Sequence, residues 1–230
     1  MAKYAVLLAD ADNTLFDFPQ GERLALLETL RDFALPCDEA SVACYQHINE
    51  ALWAALERGE VTQERLRVLR FSRWLDAMES QVDAVALSER YIVALGSYAI
   101  PLPGAEEAVR RWAQRVPVAI VTNGIAAVQR ARIARSPIAA HIAALVISEE
   151  VGAAKPDPQM LYAALAQLPD ADPARALMLG DSLNADIAAA NRAGVDSCWF
   201  NPRGLPNTTP HRPTYQIDTL EAVDALLART

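Results

Sequence analysis

Five short apolar runs along the chain alternate with stretches that have helical periodicity. The runs are unbroken rather than alternating between apolar and polar residues, which is typical of parallel strands covered on both faces. They occupy residues 5–9, 118–121, 145–148, 176–179 and 197–200. Strands that alternate with helices predict an α/β fold whose core is a doubly wound parallel sheet.

The helices between the later strands carry recognisable end signals. Residues 104–115 have acidic residues in the first turn and arginines near the end, the order that the helix dipole favours. Asp157 and Pro158 form an N-cap and N1 pattern for a second helix. Gly194 is placed to close a third.

The interval between the first two predicted strands has a different pattern. Residues 18–99 show no strand signal, and Thr62 looks like an N-cap between two helices with apolar stripes. A segment of this length is too long for a strand-to-helix connection. We therefore expect a helical domain at 18–99, inserted into a core made of residues 1–17 and 100–230.

Composition and charge narrow the class of protein. An apolar fraction of 52% and a charged fraction of 22% are ordinary for a globular chain. The net charge of -8 argues against a nucleic-acid partner, since phosphate backbones need clustered basic residues. A small phosphate ester stays possible, because one metal ion and one lysine can reverse the field locally.

The sequence favours a cytoplasmic location without a membrane partner. Three widely spaced cysteines without a C-x-x-C motif suggest buried thiols in a reducing compartment. No apolar run approaches the roughly 18 residues of a membrane span, and the N-terminus shows no leader pattern.

Polar residues follow the predicted strands at their carboxyl ends. Asp10, Asp12 and Thr14 follow the first strand in the pattern D-x-D-x-T. Such residues are also common turn formers. At the carboxyl end of a strand in an open α/β sheet, however, two carboxylates suit two tasks, nucleophilic attack on phosphorus and protonation of a leaving oxygen.

The next two strands also lead into polar motifs. Thr122 and Asn123, followed by glycine, form either a simple strand-to-helix turn or a phosphate site built from a hydroxyl and backbone N–H groups. Lys155 precedes a proline that keeps it out of helical conformation, so its ammonium could be fixed at a loop tip.

A final motif supplies two more carboxylates. Asp181 and Asp186 follow the fourth strand in the pattern G-D-x-x-x-x-D. The motif can be mere helix capping, but hard oxygen ligands of this kind suit Mg²⁺, which binds one or two carboxylates together with a substrate phosphate.

The four motifs occur in the order D-x-D-x-T, T-N-G, K-P and G-D-x-x-x-x-D, each after a predicted strand. This order resembles the haloacid dehalogenase superfamily, and the resemblance covers nearly the whole chain. The helical insertion matches the cap domain of that superfamily. The resemblance implies a Rossmann-like core, a Mg²⁺ cofactor and a phosphorylated small molecule as substrate.

The resemblance also implies roles at the first and last motifs. Asp10 would be the nucleophile and a metal ligand. Asp12 would be the general acid and then the base, with its backbone carbonyl on the metal. Asp181 would bind Mg²⁺ directly, whereas Asp186 would orient Lys155 or a water on the metal.

The middle motifs would handle the phosphate. By the same resemblance, Thr122 and the Asn123 amide would hold the phosphoryl oxygens. Lys155 would neutralise both the nucleophile and the phosphate.

Within the superfamily, the residues favour phosphoryl transfer. Dehalogenases lack the second aspartate of the first motif, which Asp12 provides here. Phosphonatases need a cap lysine, and no lysine lies between Lys3 and Lys155. Sugar phosphomutases and phosphatases of sugar phosphates or phosphoglycolate stay as alternatives. A non-catalytic phosphate-binding module is disfavoured, because it would not need both carboxylates of the first motif.

Further stretches, at residues 52–62, 70–75, 101–104 and 146–152, look like those of bacterial pyrimidine 5'-nucleotidases. We therefore expect a nucleotide substrate, with Phe18 stacking on the base from the hinge between core and cap. Trp53 and Trp74 are expected to pack inside the cap instead. The sequence leaves the oligomeric state open.

Overall fold

The computed structural model describes residues 3–168 and 171–228, which form a parallel sheet flanked by helices. The six strands run in the order β3-β2-β1-β4-β5-β6. Their bounds are β1 Val6–Ala9, β2 Val118–Thr122, β3 Ala144–Ile147, β4 Ala176–Gly180, β5 Asp196–Phe200 and β6 Tyr215–Ile217. All neighbouring pairs are parallel, which confirms the predicted fold class.

The helices are bounded as follows: α1 Phe18–Asp32, α2 Glu39–Glu57, α3 Gln63–Ala77, α4 Ala84–Leu95, α5 Ala105–Ala113, α6 Ala126–Arg135, α7 Ser148–Val151, α8 Gln159–Leu165, α9 Ala188–Ala193 and α10 Ala222–Leu227. Gly194 closes α9 with a φ of 69°, as predicted. The helix expected to begin at Pro158 begins one residue later, and the Asp157 carboxylate accepts a hydrogen bond from the Gln159 N–H.

Alternate residues of the central strands bury opposite faces of the sheet. Leu7 and Leu177 pack in one apolar cluster with Trp112 from α5. Leu8 and Met178 pack in the other, with residues of α8 and α9. Coverage of both faces explains why the strands read as continuous apolar runs.

The inserted segment contains helices α1 to α4, and the described residues of 18–99 include no strand. These four helices are called the cap below. Their core includes Phe71 and Trp74, and the Trp74 indole N–H donates to the Ser41 carbonyl at 2.9 Å. The Thr62 hydroxyl accepts from the Arg65 N–H, which confirms Thr62 as an N-cap. The boundaries at 17/18 and 99/100 stay a prediction.

No helix within the described ranges is both long and apolar enough to cross a bilayer.

Candidate active site

The carboxyl ends of β1, β2 and β4 bring the predicted site residues together. Ala9 pairs with Leu179, so Asp10 and Asp181 leave adjacent strands at the same edge of the sheet. The Asp10 N–H still donates to the Leu179 carbonyl, at 2.9 Å. This bond fixes the start of the loop between β1 and α1, residues 10–17, which is called the catalytic loop below. Thr122 ends the neighbouring β2 and is buried.

Lys155 is buried in the centre of this edge. Its ammonium donates to Asp10 Oδ1 at 2.5 Å, to the Val121 carbonyl at 2.6 Å and to Asp186 Oδ1 at 2.7 Å. The ammonium is therefore fixed, as the K-P motif suggested, but it is buried rather than exposed at a loop tip, because its partners are distant in sequence. Negative charge on Asp10 and Asp186 raises the pKa of Lys155 despite the opposing effect of burial.

The Asn123 side chain holds the Lys155 backbone rather than facing the cavity as a free amide. Its Nδ2 donates to the Lys155 carbonyl at 2.7 Å, and its Oδ1 accepts from the Lys155 N–H at 2.8 Å. Both ends of this amide therefore have a partner on the Lys155 backbone, and one N–H of Nδ2 is left over, together with the backbone N–H, for another acceptor.

Asp10, Asp181 and Asp186 form an acidic cluster in which one oxygen of each lies within 4.8 Å of the others. Burial raises the pKa of Asp181 to about 7, with a further contribution from the Asp186 charge. Burial also raises the pKa of Asp10 well above its ordinary value. One ammonium cannot balance three carboxylates, so this set of hard oxygen donors fits a divalent cation such as Mg²⁺.

The three carboxylates of the cluster differ in their hydrogen-bond partners. Asp186 accepts from Lys155 through Oδ1 and from the Ser182 N–H through Oδ2, the latter at 3.0 Å. Asp181 accepts only a long contact from the Thr14 hydroxyl, at 3.5 Å, among the side-chain hydrogen bonds of the described residues. Asp10 accepts from Lys155 through Oδ1 alone among the hydrogen bonds of the described residues, so Asp10 and Asp181 each keep an oxygen for a metal, whereas both oxygens of Asp186 are engaged.

Gly180 permits this arrangement because the loop after β4 folds back over it. A Cβ at position 180 would lie 2.2 Å from Asp186 Oδ2, which no real side chain tolerates. The loop continues as a π-helical turn, Leu183–Ile187, capped by the Ser182 hydroxyl. The glycine of this motif is therefore needed for the position of Asp186.

The Asp12 carboxylate has two partners that the sequence did not reveal. It accepts from Gln129 Nε2 at 2.8 Å and forms an ion pair with Arg132, both on α6. The Arg132 guanidinium carbon lies 4.9 Å from the centroid of Phe16 and 5.8 Å from that of Phe18. These contacts fix the direction of the Asp12 carboxylate.

A cavity of about 230 Å³ separates the cap from this edge of the sheet. Core residues Asp12 and Asn123 line it on one side, and Phe18, Trp53 and Arg70 on the cap side. Phe18 thus lies where the sequence placed it. Trp53 also lines the cavity, against the expectation that it packs inside the cap, whereas Phe71 and Trp74 are fully buried.

A second, larger cavity of about 710 Å³ opens on the other flank of Asp181. Its walls come from the catalytic loop, the end of β5 and the segment after β5, including Asn13, Trp199 and Arg203. The Trp199 indole donates to the Asp181 carbonyl at 2.8 Å. The smaller cavity, unlike the larger one, is lined by both Asp12 and Asn123.

Comparison with known proteins places the chain in a family. The family model of haloacid dehalogenase-like hydrolases matches residues 4–194. The chain is 34% identical to the pyrimidine 5'-nucleotidase PynA of Streptococcus pneumoniae, over 96% of this chain and 95% of PynA. It is 31% identical to the pyrimidine 5'-nucleotidase YjjG of Escherichia coli, over 99% of both chains.

A crystal structure of the HAD hydrolase YfnB from Bacillus subtilis has the same fold throughout. It superposes with a TM-score of 0.91 at 32% identity, covering 98% of this chain and 99% of YfnB. That crystal form contains magnesium and reveals movement between domains in YfnB. The predicted Mg²⁺ cofactor thus has support both from this neighbour and from the acidic cluster. The chain belongs to the haloacid dehalogenase-like hydrolase family.

Proposed function

We propose that the protein is a Mg²⁺-dependent phosphomonoesterase that hydrolyses pyrimidine nucleoside 5'-monophosphates through an aspartyl phosphate at Asp10. One observation carries the proposal. Asp10, held by Lys155, and Asp12, held by Arg132 and Gln129, lie at the same sheet edge but have separate partners. Two carboxylates in different surroundings suit the separate roles of nucleophile and acid.

In the first step, an oxygen of Asp10 attacks phosphorus and the bond from phosphorus to the leaving oxygen breaks. Asp12 gives its proton to the leaving oxygen, which departs as an alcohol. Gln129 and Arg132 hold the resulting Asp12 carboxylate in place. Lys155 offers positive charge beside the attacking oxygen, where the phosphoryl group arrives.

In the second step, water attacks phosphorus and the acyl phosphate bond to Asp10 breaks. Asp12 takes the proton from this water. Asp12 is then again a carboxylic acid and Asp10 again a carboxylate, as at the start of the first step. Thr122 and the backbone N–H of Asn123 are the proposed donors to the phosphoryl oxygens. A Mg²⁺ ion held by Asp10, Asp181 and the Asp12 carbonyl would supply charge stabilisation for the phosphoryl group.

The nucleotide part of the proposal rests on the cap. The sheet edge recognises only the phosphate, so the leaving group must be selected in the cavity beneath the cap. Phe18 and Trp53 offer aromatic surface there, on which a flat base can stack. The similarity to PynA and YjjG, both pyrimidine 5'-nucleotidases, points to the same class of ester.

A panel of phosphate monoesters ranked by kcat/KM tests the proposal. We expect dUMP and dTMP to exceed ribose 5-phosphate and phosphoglycolate, with EDTA abolishing turnover and Mg²⁺ restoring it. A 2-haloacid should release no halide. A sugar phosphate at the head of the panel would reject the nucleotide assignment, and full activity after exhaustive EDTA treatment would reject the metal assignment.

A further inference from the structure

Gln129 is a buried residue of α6 whose side chain makes one hydrogen bond within the described part of the chain, to Asp12. It is 2% exposed, and its Nε2 donates to Asp12 Oδ2 at 2.8 Å. Its Oε1 is also buried and has no hydrogen-bond partner among the described residues. A buried acceptor without a partner costs stability, so an apolar side chain would suit the packing better than an amide. The bond to Asp12 is therefore what an apolar residue at this position could not replace.

Two residues of α6 hold the Asp12 carboxylate, one at each oxygen. The ion pair with Arg132 engages Oδ1, and Gln129 engages Oδ2. A single bond to Oδ1 would fix where the carboxyl group lies but would leave the group free to turn about that bond. The second bond fixes its plane. The plane matters because an acid transfers its proton only within hydrogen-bond reach of the leaving oxygen, about 2.6–3.2 Å.

Gly124 leaves the space that the Gln129 side chain occupies. A Cβ at position 124 would lie 2.6 Å from both Cγ and Nε2 of Gln129 and 3.0 Å from its Cδ. Gly124 is not among the described glycines with positive φ, so a left-handed backbone does not explain the glycine. Because a glutamine side chain is flexible, an added methyl group would displace the Gln129 amide from Asp12 rather than disrupt the fold.

We propose that Gln129 is the positioning residue that orients Asp12 for proton transfer, and that Gly124 acts on the reaction through Gln129. This inference rests on the proposed function, because it concerns the acid of that reaction. It gives the glycine of the T-N-G motif a role separate from the phosphate contacts proposed for Thr122 and the Asn123 N–H. A side chain at position 124 would then slow the step that needs the acid.

A double-mutant cycle of Gly124→Ala and Gln129→Ala tests the proposal. The substrates are dTMP and ribose 5-phosphate, whose leaving groups are alcohols, and p-nitrophenyl phosphate, whose leaving group needs little protonation. Each single variant should lower kcat on the two alkyl esters roughly 10- to 150-fold, the span of a hydrogen bond to a charged group, and lower it less on the nitrophenyl ester. The double variant should match Gln129→Ala to within about twofold, because the added methyl group then has no amide to displace.

Gln129→Met separates positioning from packing. It keeps the length of the side chain but removes both the hydrogen bond to Asp12 and the unpartnered acceptor. Its Tm should therefore equal or exceed that of wild type, while kcat on the alkyl esters falls. Gln167→Met is the matched control, because Gln167 is exposed, and it should leave Tm and all three activities unchanged. If Gln129→Ala does not fold, Gln129→Met decides.

Two results would overturn the positioning role while Asp12→Asn still behaves as the loss of an acid. One is a Gln129→Met enzyme that hydrolyses the alkyl esters at the wild-type rate. The other is a Gly124→Ala loss that is equal on all three esters and multiplies with that of Gln129→Ala, which would assign Gly124 to phosphate binding. Equal losses on all esters in Asp12→Asn would instead reject the acid of the proposed function, and the positioning role with it. A panel headed by ribose 5-phosphate rejects the nucleotide assignment alone, because both alkyl esters need the acid.

Discussion

Replacement of Lys155 by Met tests the electrostatics on which the site depends. The ammonium uses its three donors on Asp10, Asp186 and the Val121 carbonyl, and the residue is 4% exposed. Its removal leaves two buried carboxylates without their cation. Breaking a buried ion pair by removing one partner costs about 3–5 kcal/mol. For a chain of this length that corresponds to a fall in Tm of roughly 6–20 °C.

The loss should depend on pH with a definite sign. Because Lys155 lowers the pKa of Asp10, its removal raises that pKa further. A protonated carboxyl group is neutral and does not need the lysine's charge. The loss of stability in Lys155→Met should therefore be largest near pH 8 and smaller near pH 5. Thermal and urea unfolding of the metal-free protein at both values measure it.

Lys3→Met is the matched control, since Lys3 and Lys155 are the two lysines of the chain. Lys3 pairs with Asp196 at the surface, its side chain 44% exposed, so its loss should cost less than about 1 kcal/mol. Adding Asp186→Asn to Lys155→Met should recover part of the stability. If Lys155→Met folded normally and had the same Tm as wild type, the buried ion pairs of Lys155 would not stabilise the fold as we expect.

Three further changes test separate parts of the account. Asp12→Asn should lower kcat about 10²–10⁴-fold on alkyl phosphates and less on p-nitrophenyl phosphate, whose leaving group needs little protonation; equal losses on both esters would remove Asp12 as the acid. Gly180→Ala should destabilise by about 1–3 kcal/mol in urea unfolding, because its Cβ would displace the Asp186 carboxylate, and an unchanged midpoint would contradict the close approach. Burial raises the pKa of Glu22 from 4.5 to about 7, so the stability linked to its protonated form is present below pH 4.5 and lost as pH rises through 7. Relative to Glu22→Gln, wild type should therefore lose on the order of 3 kcal/mol between pH 4.5 and 8, and parallel pH profiles would refute this.

The sheet was predictable because its five longer strands are short apolar runs covered on both faces. Their observed bounds differ from the predicted ones by a residue or so at either end. The edge strand β6 was not predicted as a strand. It has three residues after a proline-rich loop, and only Ile217 of the three is buried, so no apolar run marks it.

The positions of the motif residues were also predictable, but their contacts were not. Strand ends place Asp10 and Asp181 side by side through topology alone. The burial of Lys155 depends on partners 145 and 31 residues away, which no local pattern records. Arg132 was missed because nothing in the sequence separates it from the exposed arginines of the same chain. Its role depends on which face of α6 meets the catalytic loop.

Trapping of the phosphoenzyme tests whether Asp10 carries the phosphoryl group. Wild-type enzyme would be mixed with excess dTMP and Mg²⁺, quenched in acid within milliseconds, and reduced with borohydride, which converts an acyl phosphate to an alcohol. Trypsin releases residues 4–23 as one peptide, which contains Asp10, Asp12 and Asp17. The account predicts homoserine at position 10 in this peptide, present only when substrate is added. Reduction at position 12 instead, or turnover without any reduced aspartate, would contradict it.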